Sequence, residues 1–456
     1  MTTSIAHKLA GICGEAHVVE DPGDLQKFEI DEMAPRCAVS PGSAEEVAAV
    51  LRMASERRWS VVPSGGFTAQ HTGEAFADYD LLLRTECLNQ IEHYDPGDLT
   101  IGAGSGCTVG ALNALLAKEH QYLPLDLVKS SASTVGGILA RDASGPLRHL
   151  YGGLRDFCIG VRFVTGDGKI AKGGGRVVKN VAGYDLMKLL IGSYGTLGVI
   201  VAANFKVFPR PNRHDELRTF AFDFQTIAEA ISCCDRIVRS PLTPLSLEIV
   251  SPAAHEHLQS RSEIRDPDHF APQHPVGADE RWTILLRAAG SETVIARYRR
   301  ELPIANREIS GEQETKLWNC VCNFEVQAAA RHQNVMVIAV NTVPSLAEQA
   351  LVAALQVAHD NNFLLAAIGR VAIASLTLAF LPLSVDPPSA MQYALAVSAF
   401  RAALPETASA VVTRVPIEAK RHFSVWGSSP THYGSMLAVK RALDPQNILN
   451  RGRFLF

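Results

Sequence analysis

The sequence predicts an α+β protein of two domains, and three observations carry that prediction. Strand-like and helical segments alternate as far as Phe208, with glycine-rich turns between them. Pro209 and Pro211 then stand so close together that no central strand can continue through them. Beyond this point strand–helix–strand blocks recur in a different rhythm, which suggests a sheet covered by helices on one face. A chain of 456 residues is long enough for two or three domains, each with its own core.

Composition narrows the function. With 47% hydrophobic and 20% charged residues the chain is globular, and a net charge of -4 gives nucleic-acid phosphates no general attraction. An acidic substrate would need a local cationic pocket. The nine cysteines include Cys233-Cys234 and Cys320-Val-Cys322, but neither step repeats as a zinc or iron–sulfur ligand set would. They read as packed thiols, and no metal is expected. Met1 to Gly14 lacks the character of an export signal, so a reducing, cytoplasmic setting is expected. Leu364 to Val385 is apolar, yet Gly369-Arg370 and Pro382 make it two buried strands around a turn.

In chain order, Ser43-Ala-Glu-Glu46 is a capping box for a helix with Val47, Val50, Leu51 and Ala54 on one face. Strands are expected at Ser60–Val62, Leu81–Leu83 and Leu99–Gly102, and Thr108 caps the next helix. Cys158–Val164 leads through Gly166-Asp-Gly168 into a hairpin, and Val199–Phe208 is another extended run. In the second domain, strands at Leu217–Phe222, Trp282–Leu286 and Val335–Val340 precede helices at Thr226–Val238, Glu292–Leu302 and one capped by Ser345 with Glu348. Ser251 to Glu280 is polar and aperiodic, a loop or insert. A helix from Gly434 to Leu443 closes the chain, and no internal repeat stands out.

Four glycine clusters point to a ligand. Pro63-Ser64-Gly65-Gly66-Phe67-Thr68 follows a strand, where successive N–H groups without Cβ atoms form an anion nest suited to a pyrophosphate. Ser133-Thr134-Val135-Gly136-Gly137 begins a helix, whose first N–H groups would also favour a phosphate. Ala143-Ser144-Gly145 and Gly192-Ser193-Tyr194-Gly195-Thr196-Leu197-Gly198-Val199-Ile200 complete the set, and together they favour a cofactor cleft. Gly102-Ala-Gly104-Ser-Gly106-Cys107 approaches the dinucleotide fingerprint, with Asp126 near the acidic position. Cys107 stands where the third glycine belongs, so the Rossmann reading is the weaker one.

In this order the segments resemble the FAD-binding oxidoreductases of the vanillyl-alcohol-oxidase (PCMH) type. The densest stretch is Lys179-Asn-Val-Ala-Gly-Tyr-Asp-Leu-Met-Lys-Leu-Leu-Ile-Gly-Ser-Tyr-Gly-Thr-Leu-Gly-Val-Ile200, similar to the glycolate and D-lactate dehydrogenase branch. Leu125-Asp126, Gly153-Leu-Arg-Asp156 and the terminal Lys440 to Arg453 fall where that branch has their counterparts. The resemblance implies a two-subdomain FAD-binding domain over 1–211, a ferredoxin-like α+β cap over 212–416, and a closing segment, 417–456, that returns to the first domain. It implies non-covalent FAD: Pro63, Ser64, Gly65, Gly66, Phe67 and Thr68 wrap the pyrophosphate. Thr134, Gly136 and Gly137 with Ala143, Ser144 and Gly145 line the flavin and ribityl chain. Gly195, Thr196, Gly198 and Ile200 pass the adenine end, and Asn450 returns near the flavin ring. Covalent relatives place histidine in the first loop, where this chain has Phe67, with His71 outside the turn.

One departure matters. Full-length 2-hydroxy-acid dehydrogenases of that branch carry a histidine-rich stretch that supplies a metal and a base, and Ala366–Leu378 here contains no histidine. The chain therefore looks like the second FAD-binding subunit of glycolate oxidase. That subunit works beside a paralogous dehydrogenase subunit and an iron–sulfur subunit, and meets a membrane only through the complex. For a 2-hydroxy acid, Arg155, Arg370 and Arg414 are candidate cations and His422 a candidate base. Each also has a structural reading: Arg155 as a partner of Asp156, Arg370 as a turn residue, His422 on a helix near Trp426, and His255 and His257 as solvated. Two alternatives stay open, a stand-alone FAD dehydrogenase or oxidase for another hydroxy acid or alcohol, and a non-catalytic assembly subunit with a degenerate flavin site.

Overall fold

The structure, a computed structural model, describes residues 4–456 except 77, 128–130, 178–182, 212–215, 259–280 and 385. Lys179–Ala182 of the signature stretch and most of the aperiodic segment before Glu280 lie outside the described residues. The chain forms two compact units: Met1–Ser144, Gly152–Arg210 and Ser428–Phe456 in the first, Gly145–Tyr151 and Pro211–Gly427 in the second.

The first unit holds two larger sheets and a two-stranded ribbon of Gln121–Tyr122 with Phe208–Pro209. Strands β1 (Val18–Val19), β2 (Cys37–Val39), β3 (Val61–Ser64) and β4 (Leu81–Arg84) lie in the order β1-β2-β4-β3, with β2, β4 and β3 parallel. β2 and β3 run parallel on either side of β4, and helix α1 (Ala44–Arg57) forms the crossover between them. Ser43 caps α1 at Glu46 N, and Val47, Val50, Leu51 and Ala54 are buried. Glu46 completes the start differently from a capping box, since its carboxylate accepts from Gly42 N at 2.8 Å.

The second sheet comprises β5 (Ile91–Asp95), β6 (Thr100–Gly104), β7 (Cys158–Val164), β8 (Ile170–Gly174) and β9 (Val199–Lys206). Its order is β5-β6-β9-β7-β8, antiparallel throughout. A Rossmann unit needs parallel strands, so the fingerprint-like glycines have another cause. A Cβ at Gly104 or Gly106 would stand 2.2 Å from the Leu88 carbonyl oxygen or 2.0 Å from that of Thr85. Close chain packing demands glycine there. Helices α2 (Val109–Leu116) and α3 (Val135–Arg141) begin at Thr108 and Thr134 and bury their apolar faces with this sheet.

The second unit is built on one eight-stranded antiparallel sheet. Its strands are β10 (Glu216–Phe224), β11 (Ser246–Val250), β12 (Trp282–Gly290), β13 (Arg307–Ser310), β14 (Met336–Asn341), β15 (Phe363–Arg370), β16 (Ser375–Pro382) and β17 (Ser409–Arg414). The order β13-β10-β12-β11-β15-β16-β14-β17 is palindromic in topology. With helices α4 (Ile227–Arg239) and α5 (Glu292–Glu301) the first four strands make a ferredoxin-like βαββαβ unit. Two further helices, α6 (Gly311–Cys322) and α7 (Phe324–Arg331), follow that unit. Helices α8 (Ala347–Asp360) and α9 (Ala390–Ala403) make a second βαββαβ unit with the last four strands, joined to the first where β11 pairs β15. The repeat is one of topology, and no internal repeat stands out in the residues.

Helices α4, α5, α8 and α9 pack on one face of this sheet, and α6 and α7 cover the other. The single covered face expected from sequence is thus corrected to two. Helix α8 also starts differently: Pro344–Leu346 forms a short 3-10 turn, and Leu346 occupies the N-cap without a side-chain bond. Finally, helix α10 (Tyr433–Leu443) and the tail belong to the first unit. Val61 N donates to Ile448 O at 2.8 Å and Asn450 N to Val61 O at 2.9 Å, so the tail lies parallel beside β3. Among the described residues no helix is long and apolar enough to cross a membrane.

Candidate functional site

The end of β3 is where the first glycine cluster turns. The N–H groups of Gly65, Gly66, Phe67 and Thr68 find no protein acceptor among the described residues. Phe67 has φ 55°, a left-handed conformation uncommon outside glycine, so the turn is held open as a concave run of donors. The Phe67 ring packs edge-on against Phe28 at 5.8 Å. Pro63 and Ser64 are still part of the strand, and Ser64 accepts from Gln70 Nε2 at 3.3 Å.

The turn rests directly on the start of α3. A Cβ at Gly65 would lie 1.9 Å from Thr134 Oγ1, and one at Gly66 1.7 Å from the Ala132 carbonyl oxygen. The amides at the start of α3 are not free for an anion: Val135 N donates to Cys107 O, Gly136 N to Ser105 O, and Gly137 N to Thr134 Oγ1. The run of unpaired donors is therefore the first loop, and Thr134 to Gly137 offer close backbone approach to it. After α3, Asp142 takes a left-handed C-cap and Ala143 N donates to Ile138 O, which places Ala143 and Ser144 at the exit of the helix.

The fourth cluster meets the same region through the tail. Asn450 Nδ2 donates to Tyr194 O at 2.6 Å. A Cβ on Gly195, at φ 68°, would sit 3.0 Å from Asn450 Nδ2 and 3.6 Å from Pro63 Cγ. Tyr194 stacks on Phe454 at 5.7 Å. Gly198 is tight against Phe163, and Ile200 is buried in the core with its backbone in register with Phe163. Pro63, Thr134, Gly195 and Asn450 are thus drawn together, whereas Gly198 and Ile200 serve the sheet.

Two groups that the sequence did not single out bear on a ligand. Ser105 Oγ and Ser193 Oγ are buried without a hydrogen-bond partner among the described residues. An orphaned buried hydroxyl is costly, and a bound molecule would relieve it. No spacing rule marks either serine; each stands out only once the turns are folded together.

The candidate catalytic residues are dispersed. Arg155, in the first unit, donates to Ile191 O at 2.8 Å and lies 3.6 Å from Asp142. Asp156, its expected partner, instead accepts from Gly153 N and starts a short helix. In the second unit, Arg370 ends β15, donates to Gly145 O at 3.0 Å and lies 3.7 Å from the buried Glu248. Arg414 lies 3.7 Å from Glu325, and His422 is exposed. The solvated reading of the histidine pair needs correcting too. His255 Nε2 is 2.9 Å from Thr283 Oγ1, while His257 is buried against Phe324 and His332.

Comparison with known proteins points to a cofactor. Residues 35–174 match the FAD binding domain model, and residues 419–454 match that of the C-terminal domain of FAD linked oxidases. The chain is 32% identical over 242 residues to a D-lactate dehydrogenase of Archaeoglobus fulgidus, covering 52% of this chain and 53% of that protein. It is 42% identical over 137 residues to glycolate oxidase subunit GlcE of Escherichia coli, covering 30% of this chain and 39% of that one. The matches span about half or less of these relatives' length. The fold is shared with p-cresol methylhydroxylase at a TM-score of 0.72 and 17% identity, over 98% of this chain and 95% of the other. The cofactor of such domains is FAD, and the open donor turn, the glycine contacts and the orphaned hydroxyls fit it.

Proposed function

We propose, for a chain that carries the FAD-binding domain and the closing segment of the FAD-linked oxidases on the p-cresol methylhydroxylase fold, that it is the FAD-binding subunit of a glycolate oxidase complex. The reaction is the oxidation of a small 2-hydroxy acid, glycolate to glyoxylate. The observation that supports it best is the four-donor turn at Gly65–Thr68 within the segment that matches the FAD-binding model. The similarity to the glycolate oxidase subunit adds the substrate class.

In this reading the Gly65–Thr68 amides hold the pyrophosphate, and no side chain forms a covalent link to the flavin. FAD, when bound, supplies the acceptor for the hydride from the hydroxyl-bearing carbon. The protein's part is to orient the acid and take the hydroxyl proton. Arg155, Arg370 and Arg414 are the candidate cations for the substrate carboxylate, and His422 is the candidate base. A paralogous FAD-binding subunit and an iron–sulfur subunit are the proposed partners, in the cytoplasm, with membrane contact only through them.

Purified chain should show the two visible flavin bands, released to the supernatant on acid precipitation. Anaerobic glycolate should then bleach those bands in the assembled complex. A colourless chain that takes up no added FAD would sink the proposal. The longer match to a D-lactate dehydrogenase favours a second reading, a stand-alone dehydrogenase of another hydroxy acid. Turnover with an artificial acceptor and no partner subunit would decide for it.

A further inference from the structure

Lys440 of α10 is 2% exposed, and its ammonium has three acceptors. They are Asp444 Oδ2 at 2.7 Å, Thr196 O at 2.8 Å and Leu449 O at 3.1 Å. Asp444 is 1% exposed and accepts in turn from Ile448 N at 3.1 Å and Leu449 N at 2.8 Å. The β7–β8 turn closes over the carboxylate: a Cβ at Gly166 would stand 2.2 Å from Asp444 Oδ1.

A buried ion pair is an expensive way to fill space, and an apolar pair of similar volume often does it as well or better. What an apolar pair cannot do is hold two backbone carbonyls from two separate segments. Those segments are the Ser193–Gly198 turn, through Thr196, and the Ile448–Asn450 tail, through Leu449. They meet a second time where Asn450 reaches Tyr194 O, beside Gly195 and Pro63. The turn also carries the orphaned Ser193 hydroxyl.

We propose that Lys440 is a positioning residue for the cofactor: its ammonium, anchored by Asp444, fixes the Thr196 turn and the Leu449–Asn450 tail at the separation that FAD binding requires. Lys440 acts through the two carbonyls and does not itself touch the cofactor. The inference rests on the FAD reading above. It adds a residue outside the glycine clusters, one turn of helix from its carboxylate.

The test is FAD titration of the apo-protein, followed by flavin fluorescence, for the wild type, Lys440→Met and Lys440→Arg. Apo-state folding is checked by circular dichroism and melting. Lys440→Met should raise the FAD Kd by at least roughly tenfold. In that variant, amide exchange in 193–198 and 448–451 should rise together, while exchange in α1 stays as in the wild type. Lys440→Arg should fall between the two. A merely structural lysine would lower the melting point and leave the Kd of the folded chain unchanged, so a Lys440→Met Kd within about twofold of wild type overturns the proposal. Should that variant not fold, Lys440→Arg decides. Its wider head cannot serve the same three acceptors, and a Kd equal to wild type overturns the proposal equally. A wild-type chain that binds no FAD would instead sink the reading beneath it.

Discussion

A methyl group added at Gly66 would stand 1.7 Å from the Ala132 carbonyl oxygen, and both partners are backbone, so the two loops themselves must separate. Gly66→Ala is expected to raise the FAD Kd at least tenfold, about 1.4 kcal/mol, because the donor turn loses its seat. Gly97→Ala is the control, since a Cβ there meets only Asp95 Oδ1 at 3.4 Å in an exposed turn. Equal flavin content in the two purified variants would remove the turn from the site. A different residue contributes to the pH dependence, beside His93, His149 and His332, which burial also pushes down. Burial, with Arg331 and His332 nearby, pushes His257 down from its usual range to about 4. Between pH 6.5 and that value the unfolded chain binds the proton and the folded chain does not. Stability is therefore full above pH 6.5 and falls as the pH drops through this window, by about 3 kcal/mol in all. Urea midpoints measured at pH 7.5 and pH 5 should show the loss, and His257→Leu should reduce it. The burial of this imidazole could not be read from its neighbours in the chain. Alternating His255 and His257 in a polar stretch look solvated, and only α7 brings Phe324 against the second of them.

Elements were legible where a cap and a period coincide. Helix α4 shows this best: Thr226 accepts from Glu229 N at 3.2 Å, Glu229 returns to Thr226 N at 3.1 Å, and an apolar face follows. The Ser345–Glu348 pattern has the same letters but fails, because Pro344 opens a 3-10 turn that leaves Leu346 at the helix start. Helices α6 and α7 start without a side-chain cap, and the Cys320-Val-Cys322 step belongs to a helix packed through Trp318, Cys320 and Val321. What seats α6 is a long-range pair. Glu314, fully buried, lies 2.6 Å from Arg287 of β12, and Trp318 Nε1 donates to Thr219 of β10 at 2.8 Å. Arg287→Met strands a buried carboxylate and should cost roughly 3–5 kcal/mol in urea unfolding, whereas Arg287→Met with Glu314→Leu should recover most of it. A single variant as stable as wild type would mean that α6 is held by its apolar face alone.

At the scale of the molecule, the glycine clusters pointed to a ligand because several of their glycines sit where another segment comes close. Which clusters meet was decided by the tail, whose Asn450 lies more than two hundred residues from Tyr194 in sequence yet bonds to it. No local pattern encodes such a contact; it arises because Ile448 and Asn450 pair with Val61 at the edge of β3. The topological repeat of the second unit was equally hidden, since strand order depends on connection and not on residue identity. A thermodynamic consequence follows from how the candidate residues are distributed. Apart from Gly145, all those proposed for FAD belong to the first unit, and each unit has its own core. Calorimetry of the apo-protein should therefore resolve two transitions, and added FAD should raise one of them. A ligand that binds only the folded state stabilises by about 2.7 kcal/mol at a hundredfold excess over Kd. Gly66→Ala should reduce that shift, and Arg287→Met should lower the other transition without touching it. If both transitions moved together with FAD, the cofactor would be bound by both units, and the site as assigned to the first unit would be incomplete.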